Sequence, residues 1–110
     1  LSEPRLAKAL VAMEEQPGLS WSLASMAECA GMSRSAFAAL FKQEVGDTPA
    51  DYLTQWRLSL AQVQLRNGRS LKQVADELGY ANASALSRVF NQRVGMSPRA
   101  WLQQVSHEQA

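Results

Sequence analysis

An all-α fold of about seven helices, with one long linking helix flanked by two copies of a smaller helical unit, is what the 110-residue sequence predicts. Three observations carry that expectation. Apolar residues recur at helical spacing along most of the chain, one stretch from Thr48 to Gly68 reads as a single long helix, and the segments around it repeat each other. Leu23 to Gly31 aligns with Leu71 to Gly79 at an offset of 48, whereas Phe41, Gly46, Pro49 and Leu53 align with Phe90, Gly95, Pro98 and Leu102 at 49. The second copy therefore carries one extra residue at its turn. The expected divisions are residues 1–47, a linking helix over 48–68, and residues 69–110.

The linking helix has start and stop signals. Thr48 can cap, Pro49 suits the first turn, and Asp51 places negative charge where a helix N-terminus favours it. Tyr52, Leu53, Trp56, Leu60, Val63 and Leu65 form the expected apolar stripe, and Asn67-Gly68 supplies a left-handed stop. Such a helix is roughly 27 Å long at about 1.5 Å per residue.

Upstream, Ser2-Glu-Pro-Arg opens a helix with a cap, an acid and an early proline, with Leu6, Leu10 and Met13 as its apolar stripe and Gln16-Pro17-Gly18 as its end. Ser20-Trp-Ser then leads into a short helix from Leu23 to Ala30, whose apolar face is Leu23, Met26, Ala27 and Ala30. Gly31 permits the positive φ of a tight interhelical turn. Small Ala27, like its counterpart Ala75, lets two helices approach closely, and Met32 and Tyr80 plug the turns.

Ser33 caps a helix from Arg34 to Val45 that buries Phe37, Leu40, Phe41 and Val45 and leaves Arg34, Ser35, Ala38, Ala39 and Lys42 on its other side. In the second copy, Ser70-Leu-Lys-Gln has the form of a capping box. A helix from about Ala83 to Val94 buries Leu86, Val89, Phe90 and Val94, and its free face carries Ser84, Ser87, Arg88 and Asn91. The last helix starts at Ser97-Pro98, packs Trp101, Leu102 and Val105, and is expected to fray from Ser106 to Ala110. Each copy thus has the pattern of a helix-turn-helix, whose second helix needs a face of small and polar residues to enter a major groove. Neither free face holds an acid, which phosphates would repel.

Charge is permissive rather than decisive. Net charge is +1, yet between Arg34 and Arg99 there are nine Lys/Arg against five Asp/Glu. The lone cysteine, Cys29, excludes an internal disulfide and fits a reducing, cytoplasmic setting. No apolar run approaches membrane-spanning length. A start at Leu1 without Met reads as a piece of a longer protein. Cys29 has no partner for metal or nucleophilic chemistry, His107 lies near the chain's end, and Trp21, Trp56 and Trp101 read as core anchors. Paired carboxylates, a Ser/His/Asp order and a Gly-rich phosphate loop are all lacking, so no enzyme, metal or cofactor is expected.

The segment Gly79-Tyr-Ala-Asn-Ala-Ser-Ala-Leu-Ser-Arg-Val-Phe90, with Val94-Gly-Met-Ser-Pro-Arg-Ala-Trp101, resembles the signature of the AraC/XylS family of bacterial transcription regulators. Gly31-Met-Ser-Arg-Ser-Ala-Phe37 and Phe41-Lys-Gln-Glu-Val-Gly46 resemble that family's first helix-turn-helix, and the likeness runs from about Leu6 to Val105. The resemblance implies a seven-helix domain binding double-stranded DNA, with two helix-turn-helix subdomains reading adjacent major-groove segments. It also implies an N-terminal effector or dimerisation domain outside this chain and RNA polymerase as the machinery regulated. One departure is Leu86, where the family often has an aromatic residue.

Ser35, Ala38 and Ala39 match the family's base-contact positions in the first unit; from the free helix faces, Arg34 beside them and Ser84, Ser87 and Arg88 in the second unit are the further expected base contacts. Ser33, Lys42, Ser70, Lys72 and Asn91 are the expected phosphate contacts, helped by amide-rich helix N-termini. Alanine can touch a thymine methyl but cannot hydrogen-bond a base edge, whereas Arg88 can pair bidentately with guanine. Polar base readout is therefore expected mainly from the second unit. The alternatives for Arg88 are an intramolecular salt bridge or a phosphate contact, and for the whole chain a helical protein-interaction module that never touches DNA.

Overall fold

The computed structural model describes residues 2–109. These form seven α-helices: α1 (Pro4–Glu15), α2 (Leu23–Ala30), α3 (Arg34–Val45), α4 (Pro49–Arg66), α5 (Leu71–Glu77), α6 (Ala83–Val94) and α7 (Pro98–Gln109). There is no strand among the described residues. Packing divides the chain into two units, one ending at Arg57 and the other starting at Leu58, so α4 contributes to both.

The first unit is built on Leu6, Ala9 and Met13 of α1, Met26, Ala27 and Ala30 of α2, Phe37 and Phe41 of α3, and Leu53 of α4. Phe41 sits 5.6 Å from Phe37 and meets Tyr52 edge-on at 5.7 Å. Fully burying a Leu, Met or Phe side chain is worth about 1.5–3 kcal/mol, so this cluster is the main source of the unit's stability. Ala27 is buried as its size foretold, and small Ala9, rather than Leu10, completes the α1 stripe, with Leu10 packed at the margin.

The second unit repeats the scheme with Leu58, Ala61 and Leu65 of α4, Val74, Ala75 and Leu78 of α5 and its end, and Leu86 and Phe90 of α6. Trp101 closes it, edge-on to Phe90 at 5.7 Å. Leu86 is fully buried, so the aliphatic side chain is accommodated in the core.

Four local expectations need correction. The cap of α1 is Glu3, whose carboxylate accepts the Arg5 N–H at 3.1 Å, not Ser2. Pro4 at the first helical position fixes the boundary one residue later than the serine allows. Leu23 is 39% exposed, because the first residue of α2 projects beyond the core. Along α4, Val63 is 53% exposed while Leu58 and Ala61 are buried. A single helical stripe fails there because the helix serves one core up to Leu53 and another from Leu58. Finally, α7 stays helical through Ser106 and His107 to Gln109, and Ala110 lies outside the described residues.

No described helix is long and apolar enough to cross a membrane.

Candidate nucleic-acid interface

Each unit holds its second helix up by the same three devices. In the first unit the α2 cap is a reciprocal box: Ser22 Oγ accepts the Ser25 N–H at 3.1 Å and Ser25 Oγ accepts the Ser22 N–H at 2.9 Å. Gly31 takes φ 65°, and the following Met32 N–H donates to Ala27 O at 3.0 Å, closing the turn. Ser33 Oγ then accepts the Ala36 N–H at 3.2 Å and starts α3.

The second unit matches device for device. Ser70 and Gln73 form the box at 3.1 Å in both directions, and Tyr80 N–H donates to Ala75 O at 2.9 Å. Asn82 Oδ1 accepts the Ala85 N–H at 2.8 Å to start α6. The extra residue of the second copy lies between glycine and cap, as Gly79-Tyr-Ala-Asn82 against Gly31-Met-Ser33.

With Phe37 and Phe41 buried, α3 turns Arg34, Ser35, Ala39 and Lys42 to solvent and leaves Ala38 half-buried. With Leu86 and Phe90 buried, α6 exposes Ser84, Arg88 and Asn91 and half-exposes Ser87. Within each unit the residues expected to contact bases therefore share one helix face. On α6 that face forms a shallow depression with Leu71 and Ser97 along its rim. The capping hydroxyls of Ser33 and Ser70 accept helix amides and keep their own protons to donate. Lys72 is exposed in the first turn of α5. Lys42 is partly committed, since its ammonium donates to Gly46 O at 3.2 Å at the end of α3.

Two helix caps join the candidate interface. Thr48 Oγ1 accepts the Asp51 N–H at 3.1 Å to cap α4, and Ser97 Oγ accepts the Ala100 N–H at 3.1 Å to cap α7. Each lies beside the exposed face of its own unit's second helix, at corresponding positions of the repeat. The signal was present in the alignment of Thr48-Pro49 with Ser97-Pro98.

The units differ in electrostatics. Up to Arg57 there are five Lys/Arg and seven Asp/Glu, giving −2, and from Leu58 there are six and three, giving +3. Arg69 is ion-paired with Glu77. No hydrogen bond or ion pair involves Arg34 or Arg88 among the described residues, which removes the intramolecular salt bridge as an account of Arg88. The first unit instead spends its long polar side chains internally. Arg57 Nε donates to Pro17 O at 2.8 Å and its Nη2 to Leu19 O at 2.9 Å. Trp56 Nε1 donates to Glu14 O at 3.1 Å, and Tyr52 donates to the Glu14 carboxylate. Trp21 is likewise held, its indole N–H donating to Gln16 O at 2.8 Å.

Comparison with known proteins identifies the arrangement. Residues 26–104 match the model of a helix-turn-helix domain family, and across 99 residues the chain is 44% identical to a putative AraC-like transcription regulator of Streptomyces lividans. The chain belongs to the AraC/XylS family. The Streptomyces match covers 89% of the chain but 33% of that regulator. A second relative is the HTH-type transcriptional regulator AlkR of Acinetobacter baylyi, 38% identical over 94% of the chain and 34% of that protein. The AraC-type chain thus spans about a third of the length of the curated relatives it matches.

Solved AraC-type structures share the fold. The DNA-binding domain of AdpA, crystallised with a target DNA, superimposes with a TM-score of 0.84 at 25% identity, covering 94% of the chain and 95% of that domain. An AraC-type regulator from Chromobacterium violaceum gives 0.82 at 28% identity, covering 94% and 93%.

Among the described residues no group of three or more His, Cys, Asp or Glu is placed to hold a metal ion. Cys29 is half-buried against the first core, and His107 lies exposed on α7.

Proposed function

We propose that this chain is the double-stranded-DNA reader of a longer bacterial transcription regulator. In this reading α3 and α6 each enter a major groove, in adjacent segments of one duplex. The observation that carries it is the pairing of two helices, each capped independently of its exposed face, whose faces are small, polar or basic and hold no acid. Membership of the AraC/XylS family and likeness to a domain crystallised with its target DNA support the same reading.

Arg88, unpaired and exposed, pairs bidentately with a guanine, flanked by Ser84 and Ser87. Arg34, Ser35, Ala38 and Ala39 contact bases in the first element. Ser33, Lys42, Ser70, Lys72 and Asn91 contact phosphates, with Thr48 and Ser97 added from the structure. Regulation of initiation through RNA polymerase, and control by an N-terminal effector or dimerisation domain, belong to the longer protein. The relatives' additional length leaves ample room for such a domain.

Selection of bound duplexes from a random DNA pool, at low and moderate salt, tests the reading. Two short elements in fixed register, about one helical turn apart, with affinity falling steeply as salt rises, are the expected result. No enrichment and no salt-dependent binding would instead favour a protein-interaction module.

A further inference from the structure

Beside α3, the first unit carries a half-open, mainly apolar groove of about 460 Å³ whose apolar lining includes Trp21, Leu23, Ala38 and Leu53, with Ser22, Thr48, Thr54 and Arg57 as its polar members. The structure of the repeat supplies its counterpart. The equivalent groove of the second unit has Arg69 where the first has Trp21 and Arg99 where the first has Ala50. On the adjoining helix faces, Ser87 and Arg88 stand where the first unit has Ala38 and Ala39. At four matched positions the second unit has an arginine or serine where the first has tryptophan or alanine; the first groove's own cation, Arg57, is held on Pro17 O and Leu19 O, and the Trp21 N–H on Gln16 O.

We infer that this groove and the Ala38-Ala39 face receive the 5-methyl groups of thymines, so that the first unit selects its DNA element by methyl contact; the inference rests on the proposed DNA reading. The groove is continuous with the face of α3, since Ala38 belongs to both. Charge points the same way. A unit carrying −2 gains less from long-range attraction to phosphate than the +3 unit, so short-range burial counts for more in its contact with DNA. Among the base edges of the major groove, the thymine methyl is the one carbon substituent, and every other feature is a donor or acceptor. A donor or acceptor pressed on Ala38 or Leu23 would lose its water and gain no partner, whereas a methyl loses nothing.

The inferred contact separates Leu23 and Trp21 from an ordinary core. Leu23 is 39% exposed at the first position of α2, an arrangement that wastes apolar area in the free chain and recovers it on a methyl surface.

Deoxyuridine differs from thymidine by that methyl alone, and this makes the test direct. On the sequence selected by the chain, each thymine is replaced singly by deoxyuridine and affinity is measured. One or more positions are expected to lose about three- to fivefold, the worth of one buried methyl. In Leu23→Ser, and separately in Ala38→Ser, that discrimination is expected to fall to near unity. Val11→Ser, a control at a 50% exposed apolar residue of α1, is expected to retain it. A chain that selects a sequence but is indifferent to every replacement, or whose discrimination survives both groove variants, overturns the inference and leaves the groove to a protein partner. Salt-dependent binding without any selected sequence also overturns the inference, and a chain that neither selects a sequence nor binds duplex in a salt-dependent way overturns the DNA reading itself.

Discussion

The Tyr52 hydroxyl donates a 2.8 Å hydrogen bond to Glu14 Oε2, joining α4 to α1 across 38 residues of sequence. The same Glu14 takes the Trp56 indole N–H on its backbone carbonyl, so one residue of α1 fixes two successive turns of α4. Burial, and then the hydrogen bond to Glu14, push the Tyr52 phenol up to about 12. The fold favours the protonated phenol. Its contribution is therefore complete below the ordinary phenol value of 10.0 and is lost as pH rises through about 12. Tyr52→Phe should cost about 1 kcal/mol at neutral pH. Its difference from the parent in urea melts should shrink above pH 10; a constant difference up to pH 12 would contradict the assignment.

Gly31 occupies φ 65° with open space around the position of a Cβ. The cost of Gly31→Ala is then backbone strain alone, about 1–2 kcal/mol, with no steric clash to relieve. Thermal unfolding should show that loss without any change in the sequence selected from a DNA pool.

The capping boxes should be worth similar amounts in both units. Ser22→Ala and Ser70→Ala are each expected to lower stability by about 1 kcal/mol, as is Asn82→Ala at the start of α6. Denaturant midpoints read these losses. Ser70→Ala should in addition weaken binding to all sequences alike, as a lost phosphate contact does.

Arg88→Ala separates recognition from folding. The side chain is exposed and lacks an internal partner among the described residues, so stability should move by less than about 0.5 kcal/mol. Affinity for the preferred site should fall by about 1–3 kcal/mol, with relaxation at one base position. Equal weakening on every sequence would make Arg88 a phosphate contact.

Helix order, the glycine turns and both unit cores were legible in the sequence because local signals and burial agreed there: Ser33, Ser70 and Gly31 hold the backbone roles their chemistry foretold. The long helix was less legible. Its apolar positions serve two cores, so period alone promoted Val63 and passed over Leu58 and Ala61. The side-chain to backbone bonds of Arg57 to Pro17 and Leu19 left no trace in the sequence, because they join residues about 40 positions apart with no pattern of their own. On the candidate interface the face residues followed from helical period, while Thr48 and Ser97 were marked in the sequence only as matching helix starts, and their place beside those faces depends on the turns that precede them.

The reciprocal caps and the 6→1 turn bonds use backbone, Ser, Gln and Asn atoms that lie outside the exposed positions of α3 and α6. Mutational drift at Ser35, Ala39, Ser84 and Arg88 is thus insulated from the fold. Under the proposed DNA reading, a lineage can exchange one operator for another by changing those side chains one at a time, each intermediate remaining a folded protein. The two units can also drift independently, since each carries its own complete set of supports.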